Sequence, residues 1–458
     1  MDNVRNYNIV YIHTHDSGTV FSPYGYDSPT ENIENFAKEA VVFKKAFCTS
    51  PTCSPSRSGL LTGMYPHSNG MLGLANRGFA LKDYSWHLVS HLKKNLYKTV
   101  LCGIQHEYGS YSDHKGGAAA IGYDFDITSE NNYEYQEDYY LWDTANAENV
   151  SEWIKENGSN QNFFLSFGMF STHRKFPEIN KEIINENFVK APYPVPDFEE
   201  TRNEHAKFLT SAYYADKCFG LIIKALRDNN LYENTIIIFT TDHGIPYPYA
   251  KCTLFDSGLE VALIMRVPAS PKNGSVTDTL VSQVDIFATL CDLTGLEKPE
   301  RLQGKSFSEF FTGKSDKHRD EIYGEINFHT SYEPVRCIRT ENYKYIKYYD
   351  EEYLKINVSN IDVSETKKLL LENALLSQEK YSEALYDLYN DPGERKNLIN
   401  NHEYKSILKD LRKRLLKWQE ETKDPLLSEG IKISKNWKIN KKTSHEPSSK
   451  NPEDYEQL

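Results

Sequence analysis

Cysteine is scarce in this chain. Seven are scattered through 458 residues (Cys48, Cys53, Cys102, Cys218, Cys252, Cys291, Cys337), with no Cys-x-x-Cys pair. That pattern excludes a disulfide scaffold and points to a reducing compartment. Long apolar runs are missing too, which excludes a transmembrane helix and predicts no membrane partner. The opening stretch, residues 1–16, has no extended apolar segment and no small-residue cleavage site. A cytoplasmic location is therefore expected, and sequons such as Asn149-Val150-Ser151 carry no meaning there. Positive charge is the minority: 53 Lys and Arg face 65 Asp and Glu, a net of −12. Nonspecific binding of nucleic acid is excluded on that balance, though a local basic pocket for a small anion is not. Aromatic residues, by contrast, are plentiful, with 32 Tyr, 22 Phe and 5 Trp. Core packing takes most such rings, and some can line a sugar-binding cleft.

Short β-rich apolar runs alternate with helical patterns over the first two thirds of the chain. Residues 9–12, 41–43, 99–103, 163–170, 235–240 and 261–267 read as strands, and 28–40, 86–96 and 200–229 as helices. Strands of this set run into His or Asp: His13-Thr14-His15-Asp16 after the first, His106 after the third, His173 after the fourth, and Asp242-His243 after the fifth. Ligand-type residues at the C-terminal ends of strands mark the active-site edge of an open α/β sheet. The alternation predicts a mostly parallel sheet covered by helices on both faces. After about residue 325 the rhythm changes. Residues 335–349 read as a strand pair turning at Thr340-Glu341-Asn342, 384–388 as another strand, and 402–423 as an amphipathic helix. This gives three expected units: a catalytic α/β domain over 1–325, an α+β subdomain over 326–430, and a polar tail over 431–458. The tail has five lysines between Lys432 and Lys442 and is expected to be loosely ordered or to wrap the surface.

The sharpest motif is Cys53-Ser54-Pro55-Ser56-Arg57, continued by Leu60-Leu61-Thr62-Gly63. Pro55 before Ser56 predicts a helix starting just after Cys53. Such a terminus favours an anion. Here the chain resembles the sulfatase family, whose C-x-P-x-R-x-x-L-L-T-G pattern is matched at every fixed position. The resemblance implies an alkaline-phosphatase-like fold, a large mixed and mostly parallel sheet between helices with a smaller antiparallel C-terminal sheet. It also implies that Cys53 is oxidised after translation to formylglycine by a maturing enzyme. The hydrate of that group offers one hydroxyl to attack sulfur and a second to expel sulfate. Arg57 would neutralise the nucleophile oxygen or the sulfo group.

The remaining site residues follow from the same resemblance. Asp16, His15, Asp242 and His243 match the positions that bind Ca²⁺ together with residue 53. His15 stands where the family usually has Asp, and imidazole is the softer ligand, so Mg²⁺ or another divalent ion is open. Lys251 matches a sulfate-binding cation. His173 matches the proton donor to the leaving group, a task that suits a histidine. His106 matches the histidine of a G-K-x-H motif whose Lys is Ile104 here, and Arg174 is a candidate to replace that charge. His67, in the loop after the motif helix, serves structure or catalysis. His329 and Arg336 are expected to line the substrate pocket. Stretches 53–74, 235–248, 385–398 and 411–426 resemble most the sulfamidase branch, which removes N-linked sulfate from glucosamine. A sulfated saccharide substrate, N-sulfoglucosamine above all, is the implied partner. Three other readings stand beside it. One is an O-sulfatase on another sulfated carbohydrate or aryl sulfate. Another is a phosphatase or phosphodiesterase of the same fold, which would use Ser or Thr and two zinc ions. The last is a noncatalytic binder of sulfated glycans.

Overall fold

A computed structural model describes residues 7–109, 114–130 and 139–457. Fourteen strands are found among them: β1 (Asn8–Thr14), β2 (Val41–Phe43), β3 (Ala46–Phe47), β4 (Lys98–Gly103), β5 (Phe125–Asp126), β6 (Phe163–Gly168), β7 (Thr235–Thr241), β8 (Leu263–Arg266), β9 (Val276–Thr277), β10 (Val281–Ser282), β11 (Glu321–Phe328), β12 (Tyr332–Thr340), β13 (Tyr343–Tyr348) and β14 (Glu383–Asp387). Eight of them form one sheet in the order β5-β4-β6-β1-β7-β8-β2-β9. Every neighbouring pair in it is parallel except those made by β8, which runs against both β7 and β2. The large sheet is thus mixed and mostly parallel, as expected.

Both faces of this sheet are buried, which explains why its strands read as unbroken apolar runs. In β1, Ile9 and Tyr11 pack into one core cluster while Val10 and Ile12 pack into another; β7 divides Ile236 and Ile238 from Ile237 and Phe239 in the same way. Successive side chains of a strand point to opposite faces, so each strand feeds both cores. The long Glu199–Asp228 helix covers the second face with Ala215, Phe219, Ile222 and Leu226. The register levels the strand ends. His13 pairs with both Gly168 and Thr240, and Gly103 pairs with Gly168. The residues that follow β1, β4, β6 and β7 therefore leave the sheet along a single edge.

The smaller sheet, β11-β12-β13-β14, is antiparallel throughout. The Lys405–Thr422 helix lays Leu408, Leu411, Leu415 and Trp418 on its Ile338, Tyr345 and Leu385. Strand β11 and the helices Tyr139–Asn157 and Ile286–Thr294 have no counterpart in the sequence reading. The tail beyond residue 430 runs over the molecule: Trp437 stacks on Phe79 at 4.3 Å, and Arg77 donates to Asn440 Oδ1 at 2.8 Å. Among the described residues no helix is long and apolar enough to cross a membrane.

Candidate active site

Cys53 is the first residue of the Cys53–Thr62 helix, not the residue before it, and Thr52 enters in extended conformation. The helix is buried along its whole length. Gly59 makes that possible, since a Cβ there would lie 2.1 Å from Thr49 Oγ1. Ser56 on the next turn donates to the Asp242 carbonyl and so pins the helix to the end of β7. Arg57 lies beneath the site, with Nη1 2.6 Å from His13 Nδ1 and Nη2 3.0 Å from Asp242 Oδ2.

The strand-end residues meet above Arg57. His15 Nδ1 is 3.0 Å from Asp242 Oδ2 and 3.4 Å from Asp16 Oδ1. His243 Nε2 is 3.1 Å from Asp16 Oδ1, and Cys53 Sγ lies 3.5 Å from that nitrogen and 4.0 Å from that oxygen. Donor atoms of His15, Asp16, Cys53 and Asp242 all fall within 4.8 Å of one another, and all four residues are buried. Asp16 reaches this position through a left-handed backbone (φ 49°) and is fixed by its N–H to Asp242 Oδ1 at 2.8 Å. The other members close in from three sides. Lys251 Nζ donates to Asp16 Oδ2 at 2.8 Å, the His106 ring lies 5.7 Å from the His15 ring, and His173 Nε2 is 3.9 Å from Asp16 Oδ2. His173 is the most open of the group, with 29% of its side chain exposed.

Charge is closely balanced. Burial alone would raise both carboxyls, but Lys251, His243 and His173 hold Asp16, and His243, His15 and Arg57 hold Asp242, well below the usual carboxylate range. Burial opposes protonation of the two imidazoles. The neighbouring carboxylates prevail, taking His243 up to about 9 and His15 well above its ordinary value. Burial also works against a Cys53 thiolate, yet Lys251 and hydrogen bonds from His106 and His15 bring the thiol well below its usual range. A side chain at this position is therefore stabilised as an anion. The donor set fits a divalent cation: two buried carboxylates converge with two imidazoles that now carry the compensating protons, and a metal ion would take the protons' place.

Not every expected residue stands at this centre. Arg336 is fully buried in the smaller sheet, with Nε and Nη2 on the two oxygens of Asp424 and Nη1 on the Ile326 and Val335 carbonyls. Each of its three nitrogens is engaged within the protein, so the structure places it in a buried ion pair away from the Cys53 centre. Arg174 likewise does not replace the missing Lys: it pairs with Glu204, donates to the Pro246 carbonyl and packs on Phe176 and Tyr247. His67 pairs with Glu325 and packs against Trp418, tying the loop after the motif helix to β11. His329 does come to the site, its Nδ1 2.7 Å from Thr52 Oγ1 beside Cys53. Three residues with no role in the sequence reading also belong here. His13, inside β1 and part of the His13-Thr14-His15-Asp16 cluster, accepts from Arg57. Asp143 receives the N–H groups of Phe170 and Ser171 at 2.7 and 2.9 Å and shapes the turn that carries His173. Asp362 binds Lys251 at 3.0 Å from a stretch with no periodic signal.

Comparison with known proteins agrees with this geometry. A family profile described as Sulfatase matches residues 7–296, and one described as N-sulphoglucosamine sulphohydrolase, C-terminal, matches residues 242–378. An ulvan-active sulfatase of Formosa agariphila is 26% identical over 483 residues, spanning 94% of this chain and 78% of its own length. The N-sulphoglucosamine sulphohydrolase of Homo sapiens is 26% identical over 443 residues, 86% of each chain. A protein solved in complex with its substrate D-glucosamine-2-N,6-O-disulfate shares the fold, with a TM-score of 0.68 at 17% identity over 91% of this chain and 98% of that one. With the first profile running from β1 through the Ile286–Thr294 helix, well over half of the chain, this protein belongs to the sulfatase family, hydrolases of sulfate esters and sulfamates.

Proposed function

We propose that the chain removes sulfate from a sulfated sugar, with N-sulfoglucosamine as substrate and Cys53, matured to formylglycine, as the nucleophilic residue. The observation that carries this reading is the placement of Cys53 Sγ: in the first turn of a buried helix, with His106, His243 and the Lys251 charge directed at it. Formylglycine, once hydrated, supplies one hydroxyl for attack and a second whose deprotonation expels sulfate. A divalent ion, Ca²⁺, Mg²⁺ or another, would be held by Asp16, His15, Asp242, His243 and side chain 53, and would polarise the sulfate.

The protein's own groups do the rest. Lys251 faces the sulfate position and offsets its charge as Asp362 gives way. Arg57 holds Asp242 from below and keeps the oxygen ligands aimed upward. His106 orients the hydroxyl hydrogen at residue 53. His173, open to the entrance, hands a proton to the leaving nitrogen or oxygen. Burial lowers its proton affinity more than Asp16 restores it, so it is neutral at rest and passes on a proton received during attack. His329 steadies Thr52. In this reading residues 1–325 form the catalytic unit, 326–430 close it with His329 and Asp362, and 431–458 bind the two together. A cleft of about 760 Å³ with Lys251, Tyr26, Tyr193, Tyr249 and Tyr348 in its walls gives room for a sugar.

The human relative's name and the C-terminal profile support the N-sulfate. The ulvan-active relatives favour a second reading, an O-sulfatase. Sulfate release decides between them. Protein coexpressed with a maturase is given N-sulfoglucosamine and glucosamine 6-O-sulfate separately. Faster release from the first is expected, and faster release from the second would move the assignment to an O-sulfatase. Release of phosphate instead from phosphate esters would favour a phosphatase. No release at all, with formylglycine verified by mass spectrometry, would leave a glycan binder.

A further inference from the structure

We infer that the site selects a borderline first-row transition ion, of the Zn²⁺ kind, over Ca²⁺, and that His15 is the selecting residue. The inference rests on the metal-assisted reading above and deepens it.

Calcium takes about six to eight oxygen ligands, often with bidentate carboxylates. The described residues offer two carboxylates here, and each has an oxygen already engaged: Asp16 Oδ2 by Lys251, Asp242 Oδ2 by Arg57. Neither is free to bind bidentately. The other two donors are nitrogens. His243 Nδ1 lies 2.9 Å from the Gly244 carbonyl, which fixes the ring and leaves Nε2 as the lone-pair donor towards Asp16 and Cys53. His15 presents Nδ1 to both carboxylates. The two imidazole nitrogens stand 3.1 and 3.4 Å from Asp16 Oδ1, the oxygen that Lys251 leaves free, a spacing compatible with neighbouring ligands on a metal with bonds of about 2.1 Å, the length usual for imidazole on zinc. Imidazole suits Zn²⁺ and related ions, whereas Ca²⁺, Mg²⁺ and Mn²⁺ favour carboxylate, carbonyl and water. A histidine in place of aspartate also removes one negative charge from a cavity that already holds Lys251 and Arg57, and so weakens its pull on a hard cation that binds by charge alone.

The test uses the full chain carrying Cys53→Ser, so that no thiolate contributes its own preference for soft ions. Protein stripped with chelator is dialysed to equilibrium against Zn²⁺, Mn²⁺, Ca²⁺ or Mg²⁺, and bound metal is measured by mass spectrometry. One equivalent of Zn²⁺ is expected, at least about tenfold tighter than Ca²⁺, and His15→Asp should narrow that ratio by about tenfold or more. Calcium bound as tightly as Zn²⁺, or an unchanged ratio in His15→Asp, overturns the inference. So does tight binding that survives Asp242→Ala, which marks an adventitious surface ion. Sulfate release from matured protein dialysed in parallel separates the two ideas. Release with Ca²⁺ tightly bound would remove the ion selection and keep the sulfatase reading. No release with any ion would remove the sulfatase reading and leave the dialysis result standing.

Discussion

Asp424→Ala should unfold this protein far more readily while leaving its chemistry alone. The carboxylate receives Arg336 Nε at 2.7 Å and Nη2 at 3.0 Å, Gln419 Nε2 at 2.8 Å and the Leu426 N–H at 3.1 Å. Both charged side chains have no exposed surface. Removing the anion leaves a buried guanidinium without its hydrogen-bonded carboxylate; Glu325 still offsets part of the charge, so the loss is expected near the lower end of the roughly 3–5 kcal/mol for a broken buried pair. Asp424→Asn keeps one acceptor and the shape, and a smaller loss is expected. Replacing both partners by apolar residues should recover much of the stability, because the pair's net worth is small compared with the penalty for breaking it. Acid gives an independent measure. Burial raises the Asp424 carboxyl, Arg336 lowers it more, and it settles at about 2. Because this lies below the ordinary carboxylate value, its contribution is complete above about pH 4 and fades as the pH falls towards 2. Denaturant titrations of the wild type and Asp424→Ala at pH 7 and pH 3 should therefore show a gap that shrinks in acid. A loss below about 1 kcal/mol at pH 7, or a gap independent of pH, would refute the reasoning. A raised KM for sulfated sugar in folded Arg336→Met would restore Arg336 to the pocket.

Two more variants test the site and its support. Cys53→Ala should abolish sulfate release while its melting temperature stays close to that of the parent, since a small buried side chain gives way to a smaller one; measurable turnover in the purified variant would end the nucleophile assignment. Gly59→Ala places a methyl carbon 2.1 Å from Thr49 Oγ1 and 3.1 Å from its Cβ. A destabilisation of about 1–3 kcal/mol from overpacking is expected in denaturant titration, together with reduced activity, and an unchanged midpoint would show that Thr49 rotates away freely.

What the sequence made legible was local. The Cys53 motif, the paired His and Asp residues after apolar runs, and the strands carrying them are contiguous features, and the structure brings His15, Asp16, Cys53, Asp242, His243, Lys251, His106 and His173 to one edge. What it hid was pairing over distance. A buried arginine and a pocket arginine look alike in a string of letters; only the fold puts Asp424 against Arg336 and Glu204 against Arg174. Asp362 was invisible for another reason. It sits in the short link between the turn Val358–Asn360 and the helix Glu365–Glu372, so nothing local marks its contact with Lys251. Strand β11 was missed because its Gly324 and Glu325 break the apolar pattern, although both are buried: a Cβ on Gly324 would meet Cys337 Sγ at 3.0 Å, and Glu325 answers His67.

The depth of Cys53 sets an order of events. Its side chain is 2% exposed, under a roof to which the chain contributes late: His329 over Thr52, Asp362 on Lys251, and a tail that clasps Arg77. The cleft beside Lys251 does not have Cys53 in its walls. If another enzyme converts Cys53, as the proposed function requires, the burial favours conversion on an open chain, before the last third of the polypeptide settles. Maturation and folding are then competitors in time, and a faster-folding variant would leave the cell with more unconverted thiol.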